Sequence, residues 1–378
     1  MIAHPRPLIA VFAAMPDFRK ARGTRHPLSA IFALACCAML CGSRSESAIA
    51  AWGRNDGTRI AQALGFTHAT PCAATFYTIF RHVQRAEFEA RLGAWADRVV
   101  SSLPTVPATP EVARALDGKT LRGSKKQGAP GTHLFSALAH HVGVTLAQHA
   151  VDDKTHEMTA VASLLCQLVL EGRMVTMDAL LTQRHVAQTL VDKGGDDVMI
   201  VTEHQPQLRA DMEVVFTLPP AGDRQETART VDIGHGRIEQ RTITTSEALI
   251  GYSDWPGLAQ VFEVGRHVIF QKTGQERAEV VYGVTSLCPE RATPERLLEL
   301  VRGHWQMEHT SHWVRDVTFD EDRSQVRCGS IPHVMAALRN TTVGLLRGAG
   351  YTNIAAACRQ LAAQPIRALA LIGVKLEN

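Results

Sequence analysis

Between residues 113 and 217 the apolar runs switch repeatedly between strand-like and helix-like spacing, and this alternation narrows the fold more than any other feature. "VARALDG" reads as a strand ending at Asp117. "HLFSALAHH" and "TLAQHAVDD" read as two more, joined at the turn residue Gly143. "HEMTAVASLLCQLVLEG" has helical spacing, "RMVTMDA" is a buried strand ending at Asp178, and "TQRHVAQTLVDKGG" is a helix closed by glycine. "DDVMIVTE" and "QPQLRADMEVVF" add a strand and a helix. The order β-β-β-α-β-α-β-α predicts an α/β sheet. Residues 225–290 break the alternation, because "GRIEQRTITTS", "QVFEVGRHVIFQ" and "AEVVYGVTSL" read as strands without helices between them. They are expected to form a β-rich insertion.

Both flanks read as helical. "HPLSAIFALACCAML" predicts a buried helix with Pro27 near its first turn, and "SESAIAAWGR" offers Ser45 and Ser47 as caps of another. "TPCAATFYTIFRHVQRAEFEARLGAWADRVV" keeps helical spacing to about residue 100. Pro104, Pro107 and Pro110 then mark residues 101–112 as a linker. From "TPERLLELVRGHWQMEHTSHWVRDV" onward the chain is helical again. The expected organisation is a helical domain at 1–100, a Pro-rich linker at 101–112, and an α/β domain at 113–378 with its insertion at about 225–290.

Composition limits the function. The net charge of the 378 residues is only +3, yet residues 1–100 hold 12 Lys and Arg against 6 Asp and Glu. A basic first quarter fits contact with nucleic acid, or plain solubility. The eight cysteines include no CxxC pair, so reduced core thiols are expected rather than disulfides or a zinc site. The longest apolar run, Ser29 to Cys41, falls short of the ~20 residues that span a membrane. The start of the chain carries Pro5, Pro7 and His4 and does not read as a signal peptide, which leads to the expectation of a cytoplasmic protein. No Walker A, G-x-G-x-x-G or G-x-S-x-G motif is present, which disfavours a nucleotide cofactor or a serine hydrolase.

Asp117 and Asp178 each close an apolar run. At the carboxyl ends of strands in an open α/β sheet, side chains face the ligand crevice, although aspartates there also serve as turn residues or caps. In "RGHWQMEHTSHWVRD", helical spacing puts His304, Glu308, His312 and roughly Arg315 on one stripe. A zinc helix is a poor match, because HExxH is absent and the His304 to Glu308 spacing fails HxxEH by one residue. Two aspartates and a glutamate are oxygen ligands suited to Mg²⁺ or Mn²⁺. A pair of such ions serves in-line phosphoryl displacement, and cations after Asp117 in "LDGKTLRGSKK" would then hold phosphates.

With "FRKARGTRHPLSAIFALACCAMLCG", "LDGKTLRGS", "VTMDALLTQR", "HGRIEQRTI", "VVYGVTSL", "RGHWQMEHTSHWVRDVTFDEDRSQVR" and "VMAALRNTTVGLLR" in order over nearly the whole length, the chain resembles the DDE transposases of bacterial insertion sequences, in their H-repeat-associated group. The resemblance implies a ribonuclease-H-like core with a β insertion between the second and third acids, preceded by a helical associated domain that helps bind the element's ends. It puts the acids on Asp117, Asp178 and Glu308, with two Mg²⁺ or Mn²⁺ ions as cofactors. It implies hydrolysis followed by transesterification on double-stranded DNA by a homodimer, in the cytoplasm at the nucleoid and without ATP. Lys119, Arg122, Lys125, His304, His312 and Arg315 are the expected phosphate contacts. Leu181, His156, Thr202, His204, His309, Thr310 and Ser311 depart from the family pattern. The alternative they leave open is a weakened or domesticated transposase derivative that binds DNA without moving it.

Overall fold

The computed structural model describes residues 7–22, 24–55, 57–103, 113–125, 131–140, 142–151, 157–307 and 311–375. In chain order the elements begin with α1 (Leu8–Ala13), α2 (Leu28–Leu40), α3 (Glu46–Asn55), α4 (Gly57–Ala63), α5 (Ala73–His82) and α6 (Arg85–Ser102). Next come β1 (Ala113–Thr120), β2 (His133–Ala139), β3 (Val144–Val151), α7 (Glu157–Gln167), β4 (Met174–Met177), α8 (Arg184–Asp192), β5 (Asp196–Val201) and α9 (Pro206–Thr217). Strands β6 (Glu226–Gly234), β7 (Arg237–Ser246), β8 (Gln260–Phe270) and β9 (Glu276–Thr285) precede α10 (Pro294–Met307), α11 (Ile331–Gly348), α12 (Ile354–Ala363) and α13 (Pro365–Ile372). The strands form a mixed sheet in the order β3-β2-β1-β4-β5-β9-β8-β7-β6. Its first five strands follow the order of a ribonuclease-H-like core. Of the expected linker, residues 104–112 lie outside the described residues, while Ser101 and Ser102 close α6.

The chain divides into two compact units. One holds Pro110–Asp117 and Val161–Gln306; the other holds Met1–Thr109, Gly118–Ala160 and Met307–Asn378. In the first, β1 pairs parallel with β4 from Ala113↔Met174 to Leu116↔Met177, and β4 pairs parallel with β5. β5 then pairs antiparallel with β9, Val198 opposite Thr285, so the β insertion continues the same sheet instead of standing apart. The expectation missed β6. "ETARTVDIG" is an edge strand with almost every side chain exposed, so it has no apolar face to read. It turns into β7 through His235 and Gly236, both at positive φ (52° and 72°), the geometry of a two-residue hairpin turn. The core of this unit joins Ala113, Met174 and Val198 of the strands to Ile243, Phe262 and Val264 of the insertion and to Leu297, Leu298, Leu300 and Val301 of α10. Each such side chain, when fully buried, contributes ~1.5–3 kcal/mol.

In the second unit the N-terminal helices do not form a separate body. α2 packs on α1 and α3 but also on α11, α12 and α13 from the other end of the chain. This follows from its sequence: "LSAIFALACCAML" is apolar around its whole circumference, so α2 has to be covered on every side. The single helical stretch expected over 71–100 breaks at Val83, whose ψ of 134° ends α5 before α6 begins. Ser45 Oγ accepts the Ala48 N–H at 3.2 Å, as expected of a cap. A buried polar chain joins α6, β3 and α11: Gln148 Nε2 donates to Glu89 Oε1 at 2.7 Å, and Asn340 Nδ2 donates to Gln148 Oε1 at 2.8 Å. Burial pushes the Glu89 carboxyl up to about 7, despite the Gln148 bond that lowers it. None of the eight cysteines is in a disulfide, and Cys36, Cys37 and Cys358 are core residues, whereas Cys72 and Cys166 are exposed against expectation. No described helix is long and apolar enough to cross a membrane.

Candidate active site

Two parallel strands bring the two aspartates side by side. The last matched pair of β1 and β4 is Leu116↔Met177, and Asp117 and Asp178 are the next residue along each strand. Neighbouring strands lie ~4.8 Å apart, so two carboxylates start from adjacent backbone positions. Asp117 is buried and Asp178 half-buried. Asp117 does not end its strand, as the apolar run suggested. β1 continues to Thr120, and only the pairing with β4 stops at Leu116, because β4 is four residues long.

The turn after Asp178 is tied down on both sides. Its Oδ1 accepts the Leu181 N–H at 3.3 Å and its carbonyl accepts the same N–H at 3.2 Å. The fully buried Thr182 hydroxyl lies 2.7 Å from the Ile200 carbonyl of β5 and 3.1 Å from that of Asp178. Leu181, where the family resemblance leads one to expect histidine, is packed inside this turn; Thr202 is half-buried and His204 exposed. His156, His309 and Thr310 lie outside the described residues, and Ser311 is buried.

α10 lies on the same face of the strands. Alternation along a strand puts Thr176 on the Asp178 side, and the register matches it to Ala115, on the Asp117 side. Thr176 Oγ1 sits 2.9 Å from His304 Nδ1. Burial drops the His304 imidazole to about 4, so it is neutral at pH 7. His304 was expected to meet phosphate. It is instead a buried, uncharged contact that fixes α10 on β4. Glu308 lies outside the described residues.

Of the expected helical stripe of His304, Glu308, His312 and Arg315, the last falls outside regular α-helical geometry. Val314–Thr318 form a π-helical turn, with the Phe319 N–H bonded to the Val314 carbonyl at 3.3 Å. Such turns re-aim the side chains that follow. Arg315 points inward, its Nε donating to Glu321 Oε2 at 2.7 Å, and Arg339 Nη1 of α11 donates to Glu321 Oε1 at 2.9 Å. Burial alone would raise the Glu321 carboxyl, but Arg315, Arg339 and Lys119 together hold it down at about 2. Lys119 is 8% exposed, and its ammonium donates to both oxygens of Asp316 at 2.5 and 2.6 Å. His312 is half-buried and is driven down to about 3 by burial, then by Arg315 and Lys119, so it carries no charge at pH 7. Of the expected phosphate contacts, Lys119, His304 and Arg315 are buried and His312 is half-buried. Arg122 and Lys125 stay exposed, Arg122 with Asp322 3.5 Å away. Asp320, Glu321 and Asp322 are acids that the sequence offers as helix caps or as aids to the site. "FDEDR" offers three acids in a row, and only the fold shows which of them is buried between arginines.

Among the described residues no group of three or more His, Cys, Asp and Glu side chains is placed to hold a metal ion. The described part of the site is two neighbouring carboxylates, an all-oxygen donor set that fits a hard divalent cation. Two such charges on adjacent strands repel one another, and a bound cation relieves that repulsion.

Residues 108–342 match the family model described as transposase DDE domain, and residues 9–96 match the one described as DDE_Tnp_1-associated. The chain belongs to the transposase DDE family. This DDE-family chain is similar to the candidate transposase YncI of Escherichia coli O157:H7, 27% identical over 90% of this chain and 87% of that one. It is 26% identical to the H repeat-associated candidate transposase YhhI of Escherichia coli K12, over 90% of each. An uncharacterised protein of the dhlA 3′ region of Xanthobacter autotrophicus is 32% identical over 68% of this chain and 86% of its own length. Among solved structures, the piggyBac transposase synaptic complex with hairpin DNA aligns at a TM-score of 0.42 and 9% identity, covering 99% of this chain and 78% of that one.

Proposed function

We propose that this DDE-family chain is a DNA transposase that cuts and joins the ends of an insertion sequence by phosphoryl transfer, with Asp117, Asp178 and Glu308 as its metal ligands. The observation that carries the reading is the β1–β4 register, in which the first two acids follow directly on one matched pair. The direction of α10 supports the third. Leu297, Leu300 and Val301 share a core with Ala113 and Met174 at the strand starts, whereas His304 meets Thr176, two residues further along. Glu308 follows Met307, the last described residue of α10, by one position in the sequence.

The donor set suits two Mg²⁺ or Mn²⁺ ions, which when bound would activate the attacking hydroxyl and stabilise the leaving oxygen. The chain's own groups have separate tasks. The Asp178 turn, pinned through Thr182 to β5, holds one carboxylate in place. The Thr176–His304 contact fixes α10, and a neutral imidazole there adds no charge that would compete for the carboxylates. Exposed Arg122 and Lys125, just past the strand that carries Asp117, would bind DNA phosphates and position the duplex. A homodimer on the two ends and a place at the nucleoid follow from the same reading.

The test is strand cleavage of end-containing duplex with Mg²⁺ or Mn²⁺. The wild-type chain is expected to nick and join. Asp178→Asn is expected to bind the ends unchanged while cutting at least ~10³-fold more slowly, since it removes a ligand of the ion that stabilises the transition state. Wild-type protein that binds ends and never nicks them would refute the enzyme reading and leave a DNA-binding derivative.

A further inference from the structure

We propose that Arg81, Arg323 and Arg327 extend the turn carrying Arg122 and Lys125 into one continuous strip that grips the phosphate backbone of duplex DNA. The inference deepens the DNA reading above and rests on it. All five cations are exposed, and all belong to the second compact unit, although they come from three stretches far apart in the sequence. Arg81 lies in the last turn of α5. Arg122 and Lys125 lie in and just after the short turn Arg122–Ser124 that follows β1, and Arg323 and Arg327 lie shortly before α11.

Close backbone contacts lock the three stretches together. Arg327 Nε donates to the Gly123 carbonyl at 3.1 Å, and a Cβ on Gly123 would stand 2.1 Å from the Ser324 carbonyl oxygen. On the other side, the Ser330 N–H donates to the Arg81 carbonyl at 3.3 Å and the Ser330 hydroxyl to the Val83 carbonyl at 3.0 Å. Gly329 is left-handed there (φ 55°), and a Cβ on it would stand 2.7 Å from the same Arg81 carbonyl oxygen. Residues 322–330 therefore run from the turn after β1 to the end of α5, carrying Arg323 and Arg327 between Arg122 and Arg81.

The charges are open to a ligand. The side chains of Arg122 and Arg323 are 82% and 87% exposed, and their acid neighbours Asp322 and Asp320 stand 3.5 and 3.7 Å away, surface pairs that water screens and a phosphate can replace. Arg81 and Lys125 have no carboxylate partner among the described residues, and Arg327 commits only its Nε. Against the five exposed cations stand three half-buried acids, Asp320, Asp322 and Glu46, the last sharing a groove with Arg327, so the strip stays positive. Four of the five are arginines, whose planar fork bonds two phosphate oxygens at once. Duplex DNA presents one charge per ~1.7 Å of its axis, dense enough for each cation to meet a phosphate. Contacts of this kind fix a protein on the duplex without reading its sequence.

The experiment measures binding of the full chain to a fluorescein-labelled duplex of arbitrary sequence, by anisotropy over a range of salt and without divalent metal. Nicking of end-containing duplex is scored in parallel. Arg81→Gln, Arg323→Gln, Arg327→Gln and the triple variant are compared with wild type and with Lys193→Gln, a control of equal charge loss. Lys193 is exposed between α8 and β5, at the end of the sheet away from Asp178. Each single strip variant is expected to lower the slope of log affinity against log salt by about one, and the triple by about three, with Lys193→Gln unchanged. Arg327 also holds the Gly123 carbonyl, so where its variants do not fold by circular dichroism, Arg81→Gln and Arg323→Gln decide, since neither releases a hydrogen bond among the described residues. The strip is overturned if those two keep the wild-type slope, or if Lys193→Gln lowers it as much, the mark of diffuse attraction by net charge. Wild type that binds duplex through the strip but never nicks refutes the enzyme reading and leaves the strip standing. Wild type that nicks, with strip variants of unchanged slope, refutes the strip alone. Wild type with no affinity for duplex refutes both.

Discussion

Replacing Glu321 by glutamine removes one negative charge from between two buried arginines and keeps the shape. Glu321 is 2% exposed, with Arg315 at 2.7 Å and Arg339 at 2.9 Å. Its carboxyl is held at about 2 against an ordinary 4.5. At ~1.36 kcal/mol per pH unit, that difference is worth about 3 kcal/mol of stability. A depressed carboxyl contributes fully above pH 4.5 and loses its contribution as pH falls through about 2. Breaking a buried ion pair from one side carries a cost of similar size, ~3–5 kcal/mol, because the guanidiniums stay buried without their counter-charge. Urea unfolding followed by tryptophan fluorescence, on wild type and Glu321→Gln side by side, reads the difference. It is expected to be about 3 kcal/mol at pH 7 and to shrink to about 1 kcal/mol at pH 3. A difference below ~1 kcal/mol at pH 7, or one that does not change between pH 7 and pH 3, would show that the carboxylate does not hold the arginines as described.

Asp197 presents the opposite case: it is fully buried on β5, and burial pushes it up to about 8, although the Ser286 backbone works to lower it. A raised carboxyl contributes stability below pH 3.8 that is lost as pH rises to about 8, so Asp197→Asn is expected to be more stable than wild type by a few kcal/mol at pH 8, with the gap closing toward pH 4 in thermal melts. Thr176→Val removes the partner of His304 and is expected to destabilise by ~1–2 kcal/mol in urea and to slow nicking about tenfold, with end-duplex affinity unchanged in gel shifts. Arg122→Ala and Lys125→Ala are each expected to lower the slope of log affinity against log salt by about one, measured by fluorescence anisotropy, with little change in stability because both side chains are exposed.

The alternation of periods made the core legible: β1 to β5 and α7 to α9 fall where the apolar runs put them, and the parallel strands β1, β4 and β5 are buried enough to read as continuous apolar segments. That each aspartate follows an apolar strand was legible as well, whereas their adjacency is seen only in the pairing of β1 with β4. Long-range pairing was not. Nothing in "AEVVYGVTSL" says that it pairs with β5, and nothing in "ETARTVDIG" marks an edge strand whose side chains face water. The identity of the inward-facing cations was equally hidden. Lys119, Arg315 and Arg339 look like any surface cations until the fold supplies Asp316 and Glu321. Helical spacing does not place Arg315, because it falls within the π-helical turn Val314–Thr318.

The wrapping of α2 by helices from the far end of the chain bears on what an incomplete gene copy can encode. A product that stops before α11 would present a thirteen-residue greasy rod with no cover on the side where α11, α12 and α13 belong. Such fragments are expected to aggregate or be degraded, which recovery of residues 1–330 in the insoluble fraction would show. Under the function proposed above, decayed gene copies would then leave no soluble remnant to occupy the element's ends and obstruct an intact chain.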